Sequence, residues 1–115
     1  MTLKVIIVEG KTDKEKILDI LDEPVEVICT NGTLDREWLE EREEDLSERE
    51  IYILVDADEA GIKLRRELTR ALPHARHLYT RKMYREAANT PLDYLVKMLD
   101  NAHFKVAEKY RILLR

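Results

Sequence analysis

Two short acidic segments stand directly after apolar runs in this chain. Glu9-Gly10-Lys11-Thr12-Asp13 follows Val5-Ile6-Ile7-Val8, and Asp56-Ala57-Asp58-Glu59-Ala60-Gly61 follows Ile51-Tyr52-Ile53-Leu54-Val55. Carboxylates supply the hard oxygen ligands that Mg²⁺ prefers, and that ion is usually held by one or two of them together with waters and substrate phosphates. Asp56 and Asp58 are two residues apart, so while the backbone stays extended both side chains point to the same side of a sheet and can face one ion. If the strands carrying the two segments are neighbours, about 4.8 Å apart, Glu9 reaches the same space and could act as general acid or base on a phosphodiester oxygen. Three carboxylates this close repel one another, which raises at least one pKa unless a cation binds.

The elements needed to position them follow from the pattern of apolar residues. Strand-like and helix-like stretches alternate as β-α-β-α-β-α-β-α, without repeats or a linker. Leu3 to Val8 reads as the first strand, and Thr12 as the cap of a helix carrying Ile17, Leu18 and Leu21, which Pro24 ends. Val25 to Cys29 reads as the second strand, and Asn31-Gly32 as a turn before a helix with Leu34, Trp38, Leu39 and Leu46. Ile51 to Val55 is a continuous apolar run suited to burial on both faces. Leu64, Leu68, Ala71 and Leu72 stripe the next helix, which Pro73 stops. Ala75 to Thr80 reads as a fourth strand, Thr90-Pro91 as the start of a helix through Leu99, and Phe104 to Leu114 as helical. Such alternation implies a parallel sheet with helices on both faces. Gly10, Gly32 and Gly61, the only glycines, fall just after the first three strands and edge the prospective site, either as plain turn residues or where a ligand approaches the backbone.

At 115 residues, with 44% hydrophobic and 38% charged, the chain reads as one domain with a heavily ionised surface. No apolar run approaches the ~20 residues needed to span a bilayer, and the start of the chain lacks a signal pattern, so a cytoplasmic protein is expected, with no membrane partner. The lone Cys29 reads as a small core residue. The net charge of −4 hides an asymmetry: residues 34–50 hold nine acidic and three basic side chains, residues 61–85 eight basic and one acidic. A local basic excess beside the second acidic motif could attract phosphates, although both stretches also read as solvated helix faces.

The paired acidic motifs, with Thr30-Asn31-Gly32 between them, resemble the Toprim family shared by bacterial primases, topoisomerases, overcoming-lysogenization-defect nucleases, recombination mediators and the 5S-rRNA maturase. The resemblance covers roughly residues 3–80, leaving a helical extension over about 90–114, and small stand-alone bacterial members match best in size. It implies a single-domain α/β, Rossmann-like fold with a four-stranded parallel sheet ordered 2-1-3-4. It also implies Glu9 as the catalytic carboxylate, Asp56 and Asp58 with Glu9 as ligands for Mg²⁺ (Mn²⁺ substituting), and Asp13 at a further acidic position of nuclease-type members, behind the first ion or at a second. Because the zinc-finger, tyrosine-nucleophile and ATPase parts of the larger members are missing from this sequence, the expected function is Mg-dependent, nuclease-like phosphodiester processing of RNA or DNA. The alternative is a non-catalytic module that binds metal, nucleic acid or a protein partner.

Phosphate contacts are expected from Lys11 and from Arg81, Lys82 and Arg85 after the fourth strand, where Tyr79 and Tyr84 could stack on bases; Lys63, Arg66 and Arg70 share a helix face. Asp58 could cap the third helix as well as bind metal, and Asp13 could simply complement a helix start. His74, His77 and His103 lack a metal-ligand spacing. A receiver-like phosphoacceptor fits less well, since it would call for an adjacent acidic pair after the first strand, where this chain has Glu9-Gly10.

Overall fold

A computed structural model of the chain describes residues 3–31, 35–79 and 91–115. Its first strand, β1 (Lys4–Val8), leads into α1 (Lys11–Ile20), β2 (Val25–Cys29), α2 (Arg36–Ser47), β3 (Ile51–Leu54), α3 (Glu59–Ala71), β4 (Arg76–His77) and α4 (Leu92–Asn101). A 3-10 helix over Glu108–Leu114 follows. The four strands form one parallel sheet in the order β2-β1-β3-β4.

The two central strands are buried on both faces, which is why their sequences are continuous apolar runs rather than alternating ones. Ile6, Val8, Tyr52 and Leu54 point into a core shared with Ile17 and Ile20 of α1, Leu95 and Leu99 of α4, and Phe104. Val5, Ile7, Ile51, Ile53 and Val55 point the other way, against Leu39 and Leu46 of α2 and Leu64 and Leu68 of α3. The result is a three-layer sandwich with α1 and α4 on one side and α2 and α3 on the other. Trp38 packs at the margin of the second core, and Cys29 at the margin of the first.

This arrangement creates a switch point. From β1 the chain passes through α1 to β2 on one side, then through α2 to β3 on the other. The carboxyl ends of β1 and β3 therefore lie side by side with their helices leaving to opposite faces, the crevice where open α/β sheets bind ligands. Register puts Val8 opposite Leu54, so Glu9 and Asp56 emerge at the same edge.

Several local expectations are corrected. Thr12 does not cap α1: the cap is Gly10, and Thr12 is the second helical residue. The Gly10 amide donates to Asp13 Oδ2 at 3.2 Å, so the side chain three residues on satisfies the cap. The fourth strand has two residues, paired with Tyr52 and Ile53, rather than six; the Leu78 amide beyond it donates to the Ile53 carbonyl at 2.9 Å, and Thr80 lies outside the described residues. The segment from Phe104 is not one helix. His103 adopts φ 67° just after α4, Val106 bridges to Leu21, and only then does the 3-10 helix begin. Among the described residues no helix is long and apolar enough to cross a membrane.

Candidate metal centre at the carboxyl edge of the sheet

Glu9 leaves β1 half-buried, with its backbone pinned by the Asn31 amide, which donates to the Glu9 carbonyl at 2.7 Å. Asn31 itself is left-handed, φ 57°, a conformation asparagine tolerates better than most residues. The Glu9 carboxylate reaches across to β3: its Oε1 accepts the backbone N–H of Asp56 at 2.7 Å. A side chain thus closes the sheet where the ladder ends, a structural duty that the sequence did not reveal.

Asp56 and Asp58 lie beyond the end of β3, in the turn to α3, rather than in extended strand as their spacing implied. Asp58 is the N-cap of α3, and its Oδ1 accepts the Gly61 amide at 2.8 Å. Gly61 is required here by space. A Cβ on it would stand 1.9 Å from the Asp56 carbonyl oxygen and 3.0 Å from Glu9 Oε1. The first turn of α3 therefore rests directly on the backbone that carries Asp56. Gly10, by contrast, has φ −123°, and a Cβ there would meet nothing closer than Asp13 Oδ2 at 3.4 Å. Gly32 lies outside the described residues, as do Arg81, Lys82 and Arg85.

The carboxylates at this edge influence one another electrostatically. Burial pushes the Glu9 carboxyl above its usual range; the hydrogen bond from the Asp56 amide opposes this, and the negative charges of Asp56, Asp58 and Asp13 add to it. Asp13 is buried in the first turn of α1, and Lys11, the first residue of that helix, is exposed at its positive end. Cys29 Sγ lies 3.5 Å from the Gly10 carbonyl as a donor, so the end of β2 also supports the loop. Among the described residues no three acidic, histidine or cysteine side chains are grouped tightly enough to hold an ion by themselves. One oxygen of Glu9 and one of Asp58 are turned onto backbone amides.

The donor set nevertheless fits a hard divalent cation. It is all oxygen, it carries a repulsion that a cation would relieve, and Mg²⁺ needs only one or two carboxylates when waters and phosphates complete its shell. The three histidines stay apart from it. His74 Nε2 faces the Leu46 and Arg49 carbonyls at 3.1 and 3.2 Å, and His77 lies on β4 against α3.

One residue escaped the sequence reading. Arg65 falls off the Lys63, Arg66, Arg70 stripe, yet its guanidinium is drawn in against β4, where it meets His77 Nδ1 at 2.7 Å and donates to the Leu78 carbonyl at 3.0 Å. Burial lowers its pKa, while the negative charge of Glu9 is among the influences that sustain its charge. A cation one helical turn beyond Gly61 is the only linear hint of this.

Comparison with known proteins agrees with the geometry. A sequence model described as the Toprim domain matches residues 4–85. The chain is 48% identical over 103 residues to the uncharacterized protein YusF of Bacillus subtilis (strain 168), covering 90% of this chain and 70% of that protein. It is 36% identical over 76 residues to ribonuclease M5 of Mycoplasma genitalium, covering 65% of this chain but only 42% of the ribonuclease. Among solved structures, a small TOPRIM domain protein from Bacillus stearothermophilus superposes with a TM-score of 0.88 at 46% identity, over 96% of this chain and 93% of that one. A chain of a bacteriophage T7 lagging-strand DNA polymerase and primase complex shares the fold at a TM-score of 0.67 and 19% identity, over 86% of this chain and 52% of that one.

Proposed function

The chain belongs to the Toprim domain family, and from that premise we propose that it is a divalent-metal-dependent protein that processes phosphodiesters of nucleic acid. The observation that carries this reading is the Glu9 carboxylate at the crevice between β1 and β3, bonded to the Asp56 amide, with Asp56 and Asp58 in the turn that follows β3. The similarity to ribonuclease M5 supports nucleic acid as the substrate class. Asp56 and Asp58, with Glu9, would hold Mg²⁺, and Mn²⁺ could replace it.

A bound ion would act as a Lewis acid toward a phosphoryl oxygen and offset the negative charge of the site. The remaining work falls to the protein. Glu9 has one oxygen fixed on the Asp56 amide, which holds the carboxyl in place while its other oxygen takes or returns a proton at the reacting phosphodiester. Lys11, exposed at the start of α1, would take a phosphate, and Arg81, Lys82 and Arg85 are proposed from the sequence for the same role. Asp13 keeps α1 capped and adds negative charge behind Glu9.

A second reading, a non-catalytic module that binds metal, nucleic acid or a protein partner, is favoured by the structural bonds that Glu9 and Asp58 already make to backbone amides. Cleavage separates the two. Single-stranded and structured RNA and DNA are incubated with Mg²⁺ or Mn²⁺, and parent is compared with Glu9→Gln. An enzyme should lose roughly 10²–10⁴-fold in rate while keeping its nucleic-acid affinity. Calorimetric titration of Mg²⁺ should show binding by the parent and its loss in Asp56→Asn/Asp58→Asn; equal binding by both proteins would remove the metal assignment.

A further inference from the structure

A cleft of about 640 Å³ opens between the end of β4 and α4, lined among others by His77, Tyr79, Asp93, Tyr94, Lys97 and Asn101. Tyr79 is 62% exposed, although the Leu78 before it is buried. Its ring is nevertheless held. The Arg65 guanidinium lies over it at 4.3 Å, and the His77 ring stacks beside it at 6.0 Å between centroids and 26° between planes. Arg65 is fixed in turn by His77 Nδ1 and the Leu78 carbonyl. The tautomer of His77 is determined by the same network. Thr69 Oγ1 spends its proton on the Arg65 carbonyl at 2.7 Å, so it accepts from His77 Nε2 at 3.3 Å, leaving Nδ1 to accept from Arg65. On the far side the Tyr94 hydroxyl donates to the Tyr79 carbonyl at 3.4 Å.

A solvent-facing aromatic ring, backed by a fixed cation, is a stacking platform with little left to lose in ordering. The groups around it complement a base rather than a purely apolar ligand. Asp93 and Asn101 offer acceptors and a donor to base edges, and the exposed Lys97 offers a charge to a phosphate. Tyr79 follows the carboxyl end of β4 and Glu9 that of β1, so in this parallel sheet platform and carboxylate crevice lie at the same edge, with β3 between them.

We propose that the cleft beside Tyr79 is a subsite for one unpaired base of a nucleic-acid strand, stacked on the Tyr79 ring, which fixes the register of the strand relative to Glu9. This rests on nucleic acid being the substrate, and it specifies where an unpaired nucleotide sits. RNA and DNA share the stacking chemistry.

The test uses the intact protein in EDTA, which removes metal and cleavage from the measurement. Short single strands of RNA and of DNA carrying 2-aminopurine are titrated with parent, Tyr79→Phe, Tyr79→Ala, Tyr79→Leu and Lys97→Ala. Stacking should quench the probe. Tyr79→Phe should keep the affinity, whereas Tyr79→Ala and Tyr79→Leu should weaken it by roughly 5- to 100-fold and abolish the quenching. Lys97→Ala should mainly flatten the salt dependence. A stronger effect with one sugar identifies the natural strand. Binding and quenching that survive Tyr79→Leu, or a parent that quenches neither strand, would overturn the subsite and leave the cleft to a protein partner. Metal-dependent cleavage by the parent, assayed separately, tests the phosphodiester reading, so failure of the subsite is distinguishable from failure of that reading.

Discussion

Glu9 has a structural task, and its titration separates that task from the chemical one proposed for it. The folded protein holds the Glu9 proton more tightly than the unfolded chain does, because burial and three aspartates disfavour the charged form. The sign follows: stability is complete below the ordinary value of 4.5 and is lost as pH rises through the raised value. Glutamine keeps an oxygen for the Asp56 amide and never ionises. Glu9→Gln should therefore melt at or above the parent temperature at pH 7, with the gap closing as the pH falls below 4.5. Alanine lacks the acceptor and should melt lower, by an amount near that of one lost buried hydrogen bond, about 1 kcal/mol. Thermal melts of the three proteins across this pH range check both statements. Equal melting of glutamine and alanine variants would mean that the bond to Asp56 carries no weight.

At the scale of elements, the start of α3 decides whether the acidic turn keeps its shape. Glycine inside a helix is normally a weakness, and Gly→Ala there stabilises by up to about 1 kcal/mol. Gly61 should reverse that sign, because its added methyl would overlap the Asp56 carbonyl at 1.9 Å. Backbone cannot swing aside as a flexible side chain can. Gly61→Ala is expected to cost about 1–3 kcal/mol, lowering the melting temperature by roughly 5–15 °C, and to weaken Mg²⁺ binding by shifting Asp56. Calorimetry on the folded variant reads the second effect directly. A neutral or stabilising Gly61→Ala would show that α3 does not press on the turn.

Across the whole molecule, the C-terminal segment and the site lie at opposite ends of the sheet. The C-terminal segment ties down the far end: the Ala107 amide donates to the Ile20 carbonyl at 2.7 Å, and the Asp22 amide to the Lys105 carbonyl at 2.8 Å. Phe104 is buried edge-on against Tyr52, centroids 4.7 Å apart, with the Lys4 ammonium 4.6 Å over its ring. Lys4 opens β1, whereas Glu9 follows its close. Phe104→Ala should thus cost about 3–5 kcal/mol through the cavity it leaves, while the variant that remains folded binds Mg²⁺ as the parent does. Denaturant unfolding and titration at low temperature separate these effects. Loss of binding in fully folded Phe104→Ala would couple the two ends.

What the sequence determined by itself is what short-range pattern can carry. The apolar runs at residues 5–8 and 51–55, the glycines and prolines, and the alternation of element types specify a parallel α/β sheet, because burial on both faces leaves a strand no polar alternation. The motif pair pointed to the carboxylates at its edge. Tertiary structure alone decided how those carboxylates are used. Thr12 looked like a cap and is not, since Asp13 serves the Gly10 amide from within the helix. Glu9 turned out to bridge β1 and β3, and Arg65 to fold back over Tyr79 against β4. These contacts span 47 and 14 residues of chain. No local periodicity encodes such contacts, because they exist only once the sheet has set strands β1, β3 and β4 side by side.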